Sequence, residues 1–154
     1  MAGFEVTIEV RARTHRSIPT LIARATGDRL AFARSILQSA QRNVESTTPV
    51  FRVAVSQGYY SMYHAVRAVC YYVHGGDDHE EHLTLPSKIP GDFPDRVKWE
   101  NDLKRARYER NRADYDPYPK SDRQFKNAAI EIIATASTLV IIARRYLREK
   151  GCGL

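Results

Sequence analysis

The chain has 154 residues, a length that fits one domain, and its 24 basic and 18 acidic residues give a formal net charge of +6. Hydrophobic residues make up 43% and charged residues 27%, which excludes a disordered chain and indicates a globular one. The sequence has no apolar run of about 18 residues, no basic-then-apolar signal pattern and no disulfide framework, so we expect a cytoplasmic protein without membrane contact.

The N-terminal segment has a pattern unlike the rest of the chain. Residues 4–10 alternate between apolar and polar side chains, which is typical of a half-buried strand. One strand cannot form a sheet alone, so we assign residues 1–16 to an extended, strand-like arm. The main domain is predicted to cover residues 17–150, and the glycine-rich residues 151–154 to form a flexible tail.

Two helices are predicted in the first half of the domain. Ser17 before Ile18-Pro19 resembles a helix start, Gly27-Asp28 predicts an interruption, and apolar residues recur at helical spacing over 30–44. Thr48 and Pro49 predict the cap and first position of a second helix over residues 49–73. Gly58 within it costs about 1 kcal/mol relative to alanine, which predicts close packing against another backbone.

Two further helices are predicted in the second half. The third, over residues 94–113, is strongly polar, and its predicted buried residues are Val97, Trp99, Leu103 and Ala106. The fourth runs from a Ser121 cap to Lys150, and its segment 128–143 has a single charge and is apolar on several faces. We interpret its outer face as a subunit interface, with a groove for a ligand or partner as the alternative. Four helices with short or moderate loops predict an all-α, antiparallel four-helix bundle.

Two motifs on these helices resemble a known family. Residues 58–68 read Gly-Tyr-Tyr-Ser-Met-Tyr-His-Ala-Val-Arg-Ala, and residues 110–116 read Arg-Asn-Arg-Ala-Asp-Tyr-Asp. With His82-Leu83 in the loop between them, they resemble the HEPN domain family over roughly residues 28–148. The resemblance implies a dimerising helical bundle with an RNA-related role. Many members are metal-independent ribonucleases, including toxins paired with nucleotidyltransferase antitoxins and effectors of antiviral defence.

The resemblance also assigns residues to the family's catalytic signature, an arginine, a polar residue and a histidine supplied by both subunits. Arg110 matches the arginine and Asn111 the polar position, whereas the histidine position falls at Tyr115, Asp116 or Pro117. None of these is histidine. We therefore expect a homodimer that binds RNA, a nucleotide or a protein partner through a basic cleft around Arg110, in a toxin–antitoxin or defence system. The partner could be a nucleotidyltransferase-type antitoxin.

The alternative is a metal-independent ribonuclease, a toxin with an altered active site. Arg110 would stabilise the charge of the phosphorane, with Asn111, Asp114 and Tyr115 beside it, and His64 is the candidate substitute for the missing histidine. A purely structural interpretation is an Arg110–Asp114 ion pair at spacing i,i+4, with His64 simply packed between tyrosines.

Other residues are candidates for binding rather than catalysis. The basic neighbours Arg105, Arg107 and Arg112 could hold phosphates, and Tyr60 could stack on a base, although a solvated helix face and a packed tyrosine are the alternatives. The loop histidines 74, 79 and 82 are interpreted as solvated polar residues rather than metal ligands. No metal and no cofactor is expected.

Overall fold

The computed structural model describes residues 16–154, so all but the last residue of the predicted arm lies outside the described part. Two 3-10 turns, Leu85–Lys88 and Asp122–Phe125, lie in the connections. The four helices are α1 (Ile18–Glu45), α2 (Phe51–Val73), α3 (Arg96–Tyr115) and α4 (Lys126–Glu149). Over residues 16–154 there is no strand, and the predicted all-α bundle is confirmed.

Helix α2 forms the centre of the bundle because it packs against each of the other three helices. Most of its residues are buried, including Gly58 in the middle of the helix. A Cβ atom at Gly58 would lie 2.6 Å from Cγ2 of Ile132 on α4, closer than real Cβ contacts allow. The close approach predicted at Gly58 is therefore confirmed, and it lets α2 and α4 lie in direct contact.

Helix α1 begins as predicted but continues without a break. The Ser17 hydroxyl accepts a hydrogen bond from the backbone N–H of Thr20, which confirms the cap. The predicted interruption at Gly27-Asp28 is wrong, since the helix runs through both residues. Burial of Thr26 and Leu30 against the core holds this turn in place, and tertiary packing outweighs the poor helix propensity of glycine.

The start of α2 differs from the prediction. The helix begins at Phe51 rather than Pro49, and no side chain of the preceding segment caps it. Instead, the carboxylate of Asp122 accepts hydrogen bonds from the backbone N–H groups of Phe51 (2.7 Å) and Arg52 (2.9 Å). Asp122 opens the 3-10 turn that precedes α4, so Ser121 does not cap α4 directly. A negative charge at a helix N-terminus also suits the helix dipole.

Helix α3 buries fewer residues than its neighbour α2. Trp99, Leu103 and Ala106 are buried as predicted, but Val97 is 69% exposed, and its predicted burial is wrong. Val97 lies two residues before Trp99 and therefore about 160° away around the helix, on the opposite face.

Helix α4 has one buried and one exposed apolar face. Ala129, Ile132, Ala136, Leu139 and Ala143 are buried, whereas Ile130 and Ile141 are 47% and 60% exposed. By length and composition the segment Asp122–Glu149 would suffice to cross a membrane. Its inner face packs against α2 and α1.

Candidate functional site

The side chain of Arg110 lies between α3 and α2 and is only 10% exposed. Its guanidinium carbon is 5.2 Å from the ring centroid of Tyr59 and 5.4 Å from that of Tyr60. Nη1 is 3.6 Å from a carboxylate oxygen of Asp114, so the i,i+4 ion pair considered above is present. The geometry places a buried cation on two aromatic rings, with one carboxylate at its edge.

The guanidinium of Arg110 has hydrogen-bonding capacity that its neighbours leave unused. Nε is buried and has no hydrogen-bond partner within residues 16–154, and the contact with Asp114 is long. A guanidinium has five N–H donors, and a buried charge is stable only when most of its donors are satisfied. The neighbouring Arg107 also has a buried Nε without a partner among the described residues. An anion with several oxygens would supply the acceptors.

His82 enters this site from the loop between α2 and the first 3-10 turn. Its Nδ1 is 2.5 Å from the Tyr59 hydroxyl, and its ring stacks on Tyr63 with centroids 4.2 Å apart. Burial, together with the positive charges of Arg110 and Arg107, lowers the pKa of His82. Burial raises the pKa of Tyr59 to about 12. At neutral pH the imidazole is therefore uncharged and the phenol protonated. We call Tyr59, Tyr60, His82, Arg110 and Asp114 the Arg110 cluster.

An ion-pair network fixes the loop that carries His82. The carboxylate of Asp78 accepts hydrogen bonds from Nε (2.7 Å) and Nη2 (2.6 Å) of Arg67 on α2, and from Arg29 on α1 at 2.7 Å. These bonds, chiefly those from Arg67, lower the pKa of Asp78 to about 2. The Tyr63 hydroxyl also donates to the backbone carbonyl of Glu80 at 2.6 Å. The loop is thus attached to α1 and α2 just before His82, through Asp78 and Glu80.

His64 lines a groove beside the Arg110 cluster. The groove has a volume of about 560 Å³ and is lined by residues of α1 and α2, including Tyr60 and His64, and by Asp114 of α3. The His64 ring is 4.8 Å from Phe32 and stacks on Tyr60. Burial, and then the charges of Arg67 and Arg29, lower its pKa to about 4, so it is neutral at pH 7. Asp114 and Tyr60 belong both to the groove and to the Arg110 cluster.

The other candidate residues on α3 lie on different faces of the helix. Tyr115 is 75% exposed and lies about 140° around the helix from Arg110, and Asn111 lies about 100° away. Arg105 and Arg112 lie on the α4 side, where they form ion pairs with Glu131 at 2.8 Å and Glu109 at 3.2 Å. Within one chain, the described structure therefore groups Arg110 with Asp114 and Tyr60, and separates it from Asn111, Tyr115, Arg105 and Arg112. Arg107 is close enough to act electrostatically on Tyr59 and His82.

His82 and Tyr59 are the site residues that sequence reasoning missed. From the sequence, His82 is interpreted as a solvated loop residue, and Tyr59 is not among the candidate residues. The available signal was the His-Leu pair that the family resemblance places in this loop. In the described range, His, Cys, Asp and Glu side chains form no group of three or more that could hold a metal ion.

Together these features define a four-helix bundle with a buried arginine–tyrosine–histidine cluster beside an open groove. The sequence model of the HEPN domain matches residues 27–146, which is most of the chain. The chain belongs to the HEPN domain family. At the level of the family, this membership supports a nucleic-acid-related or ribonuclease-like function. No curated protein and no solved structure matches the chain.

Proposed function

We propose that the domain binds RNA in the cytoplasm and that the Arg110 cluster holds a phosphate of the RNA backbone. The observation that carries this proposal is the buried guanidinium of Arg110, whose Nε lacks a partner in the described structure. Arginine forks onto phosphate oxygens and remains charged at every physiological pH. A phosphate would satisfy the donors that Asp114 leaves free.

The neighbours of Arg110 support an anionic ligand. Arg107 adds a second positive charge close to His82. Burial keeps Tyr59 protonated beside Arg110, so this side chain adds no negative charge that would repel an anion. The groove reaches Asp114 and Tyr60, so a ligand lying in it approaches Arg110 from that side. The chain has a net charge of +6. This charge would attract RNA over a long range and so assist its association with the protein.

Phosphate binding predicts a defined salt dependence. The affinity for a short single-stranded oligoribonucleotide should fall with rising salt, with a logarithmic slope of about −1.4 if two phosphates are neutralised. Fluorescence anisotropy between low and physiological salt measures this slope. An oligomer of the same sequence with an uncharged methylphosphonate backbone is the control and should not bind. A slope near zero would contradict the proposal.

Metal-independent RNA cleavage is the second candidate function, and the position of His82 favours it. The ring is neutral, as a general base must be, and in the tautomer whose Nδ1–H donates to the Tyr59 oxygen, Nε2 is free to accept the 2′-hydroxyl proton. The 2′-oxygen then bonds to phosphorus, and the 5′-oxygen leaves and takes a proton from water. Arg110 would stabilise the phosphorane. We expect cleavage to survive EDTA, to be lost in His82→Gln and to persist in His79→Gln, a control in the same loop. If the unmodified protein does not cleave RNA, the proposed cleavage is wrong and only the proposed RNA binding remains.

We further propose that the exposed face of α4 joins two copies of the chain. Ile130 and Ile141 expose apolar surface on a helix whose opposite face is already buried, and a large exposed apolar face is unfavourable in water. The free protein should be a dimer at micromolar concentration. Ile141→Glu should be monomeric, whereas Val97→Glu, a matched change at an exposed site on α3, should remain dimeric. Sedimentation velocity distinguishes these states, and a monomeric unmodified protein would contradict the proposal.

A further inference from the structure

The groove between α1 and α2 contains features that phosphate binding at Arg110 does not use. Its lining includes Phe32, which is 53% exposed, together with the rings of Tyr60 and His64. Flat aromatic surfaces of this kind bind nucleobases of any sequence, since every base has a π-face. The exposed ring of Phe32 therefore offers an apolar surface on which a base in the groove would stack.

The groove also contains an unused hydrogen-bond acceptor. Nε2 of Gln57 donates to the Ser39 hydroxyl at 3.0 Å. Oε1 of the same amide is buried and has no partner within residues 16–154. Both Gln57 and Ser39 line the groove. A buried carbonyl oxygen without a donor is unfavourable by an amount comparable to a lost hydrogen bond, so a ligand with an N–H group would fit here.

The groove and the Arg110 cluster are continuous. Asp114 lines the groove and lies 3.6 Å from the guanidinium of Arg110, and Tyr60 lies under both the groove and that guanidinium. A ligand with a phosphate at one end and a planar, hydrogen-bonding ring at the other would contact both regions. A nucleotide unit of RNA has this form.

We propose that the groove is a nucleobase subsite, which seats the base of the ribonucleotide whose phosphate binds Arg110. The base stacks on Phe32 and donates an N–H hydrogen bond to Oε1 of Gln57. This inference rests on the proposed RNA binding. Because the Gln57 amide offers an acceptor here, the subsite favours a base with an exocyclic amino group, such as adenine, over its N-dimethylated form.

The test separates base contacts from phosphate contacts. The affinity of the unmodified protein for a hexamer of adenylate is compared with its affinity for an abasic ribose-phosphate hexamer of equal charge. The adenylate hexamer should bind about tenfold more tightly, because stacking contributes that much per base. Phe32→Ala should abolish this preference and leave the affinity for the abasic hexamer unchanged. Tyr108→Ala, a change at another exposed aromatic residue, should preserve the preference.

A second comparison tests the hydrogen bond. Gln57→Met should bind adenylate and N6,N6-dimethyladenylate hexamers equally, whereas Ser39→Ala, which removes only the contact to Nε2, should still prefer adenylate. If Phe32→Ala lowers the affinity for the adenylate hexamer and for the abasic hexamer equally, the proposed base subsite is wrong. A change from dimer to monomer in Phe32→Ala with the preference intact would instead assign the groove to a subunit interface. If Arg110→Ala leaves the abasic hexamer bound as tightly as before, the proposed phosphate site itself is wrong.

Discussion

Replacing Arg110 by alanine is expected to lower the affinity for an oligoribonucleotide by about 10- to 100-fold, because each charge-assisted hydrogen bond contributes about 1.5–3 kcal/mol. Arg110→Lys should recover part of this loss, since lysine retains the charge but cannot fork onto two phosphate oxygens. Fluorescence anisotropy at one fixed salt concentration measures the affinity of both variants and of the unmodified protein for the oligoribonucleotide.

Arg105 provides the matched control for this experiment. Its side chain is 58% exposed and already paired with Glu131, on the side of α3 that faces away from the groove. Arg105→Ala removes the same formal charge and should change the affinity by no more than about twofold, because exposed charges act through a screened field. Equal losses in Arg105→Ala and Arg110→Ala would show that only the overall positive charge matters.

Replacing Arg52 by methionine is expected to destabilise the fold by about 3–4 kcal/mol. The Arg52 guanidinium donates hydrogen bonds to the backbone carbonyls of Ala113 (3.0 Å), Asp116 (2.7 Å) and Pro119 (2.7 Å), and lies over the ring of Phe125. These carbonyls belong to the end of α3 and the segment after it, and they would lose their donors. Methionine retains the apolar stem, so the change isolates the hydrogen bonds.

Urea denaturation measures this loss of stability. Arg34→Met, a change at an exposed arginine of α1, is the control and should change the free energy of unfolding by less than about 0.5 kcal/mol. Because the end of α3 carries Arg110 and Asp114, Arg52→Met should also weaken RNA binding under conditions where it remains folded. A destabilisation below 1 kcal/mol would mean that water replaces the arginine at these carbonyls.

The parts of the fold that depend on local pattern could be predicted from the sequence. The Ser17 cap, the buried stripe of α4 and the Arg110–Asp114 ion pair all join residues three or four positions apart along a helix, or at its first turn. Helical periodicity of 3.6 residues places such neighbours together without knowledge of the tertiary structure. The close contact of α2 with another helix at Gly58 could also be predicted, since a mid-helix glycine indicates such a contact.

The parts that depend on distant residues could not be predicted. Asp122 caps α2 from about 70 positions away, and Arg52 reaches carbonyls more than 60 positions away. His82 meets Tyr59 from 23 positions away, in a loop that Asp78 attaches to α1 and α2. These contacts produce no periodic pattern in the sequence, because they depend on how whole helices pack together.

The basic residues of α3 show that charge density along the sequence does not predict which arginine is buried. Arg105, Arg110 and Arg112 belong to one dense positive stretch, but the helix distributes them over opposite faces. Arg110 is buried against α2, and the other two form ion pairs on the side facing α4. The proposed binding depends on the buried guanidinium of Arg110, whose Nε is unpaired in the described part of the chain, and charge density along the sequence does not reveal this.

The most direct measurement of the central claim is NMR observation of the arginine Nε–Hε groups during titration with a short oligoribonucleotide. If Arg110 holds a backbone phosphate, its Nε–Hε resonance should shift and become protected from exchange with water, since Nε gains an acceptor that it lacks in the free protein. The resonance of Arg52, whose terminal nitrogens already bind carbonyls, should remain in place. Shifts confined to exposed arginines such as Arg34 and Arg145, with Arg110 unchanged at saturation, would contradict the account.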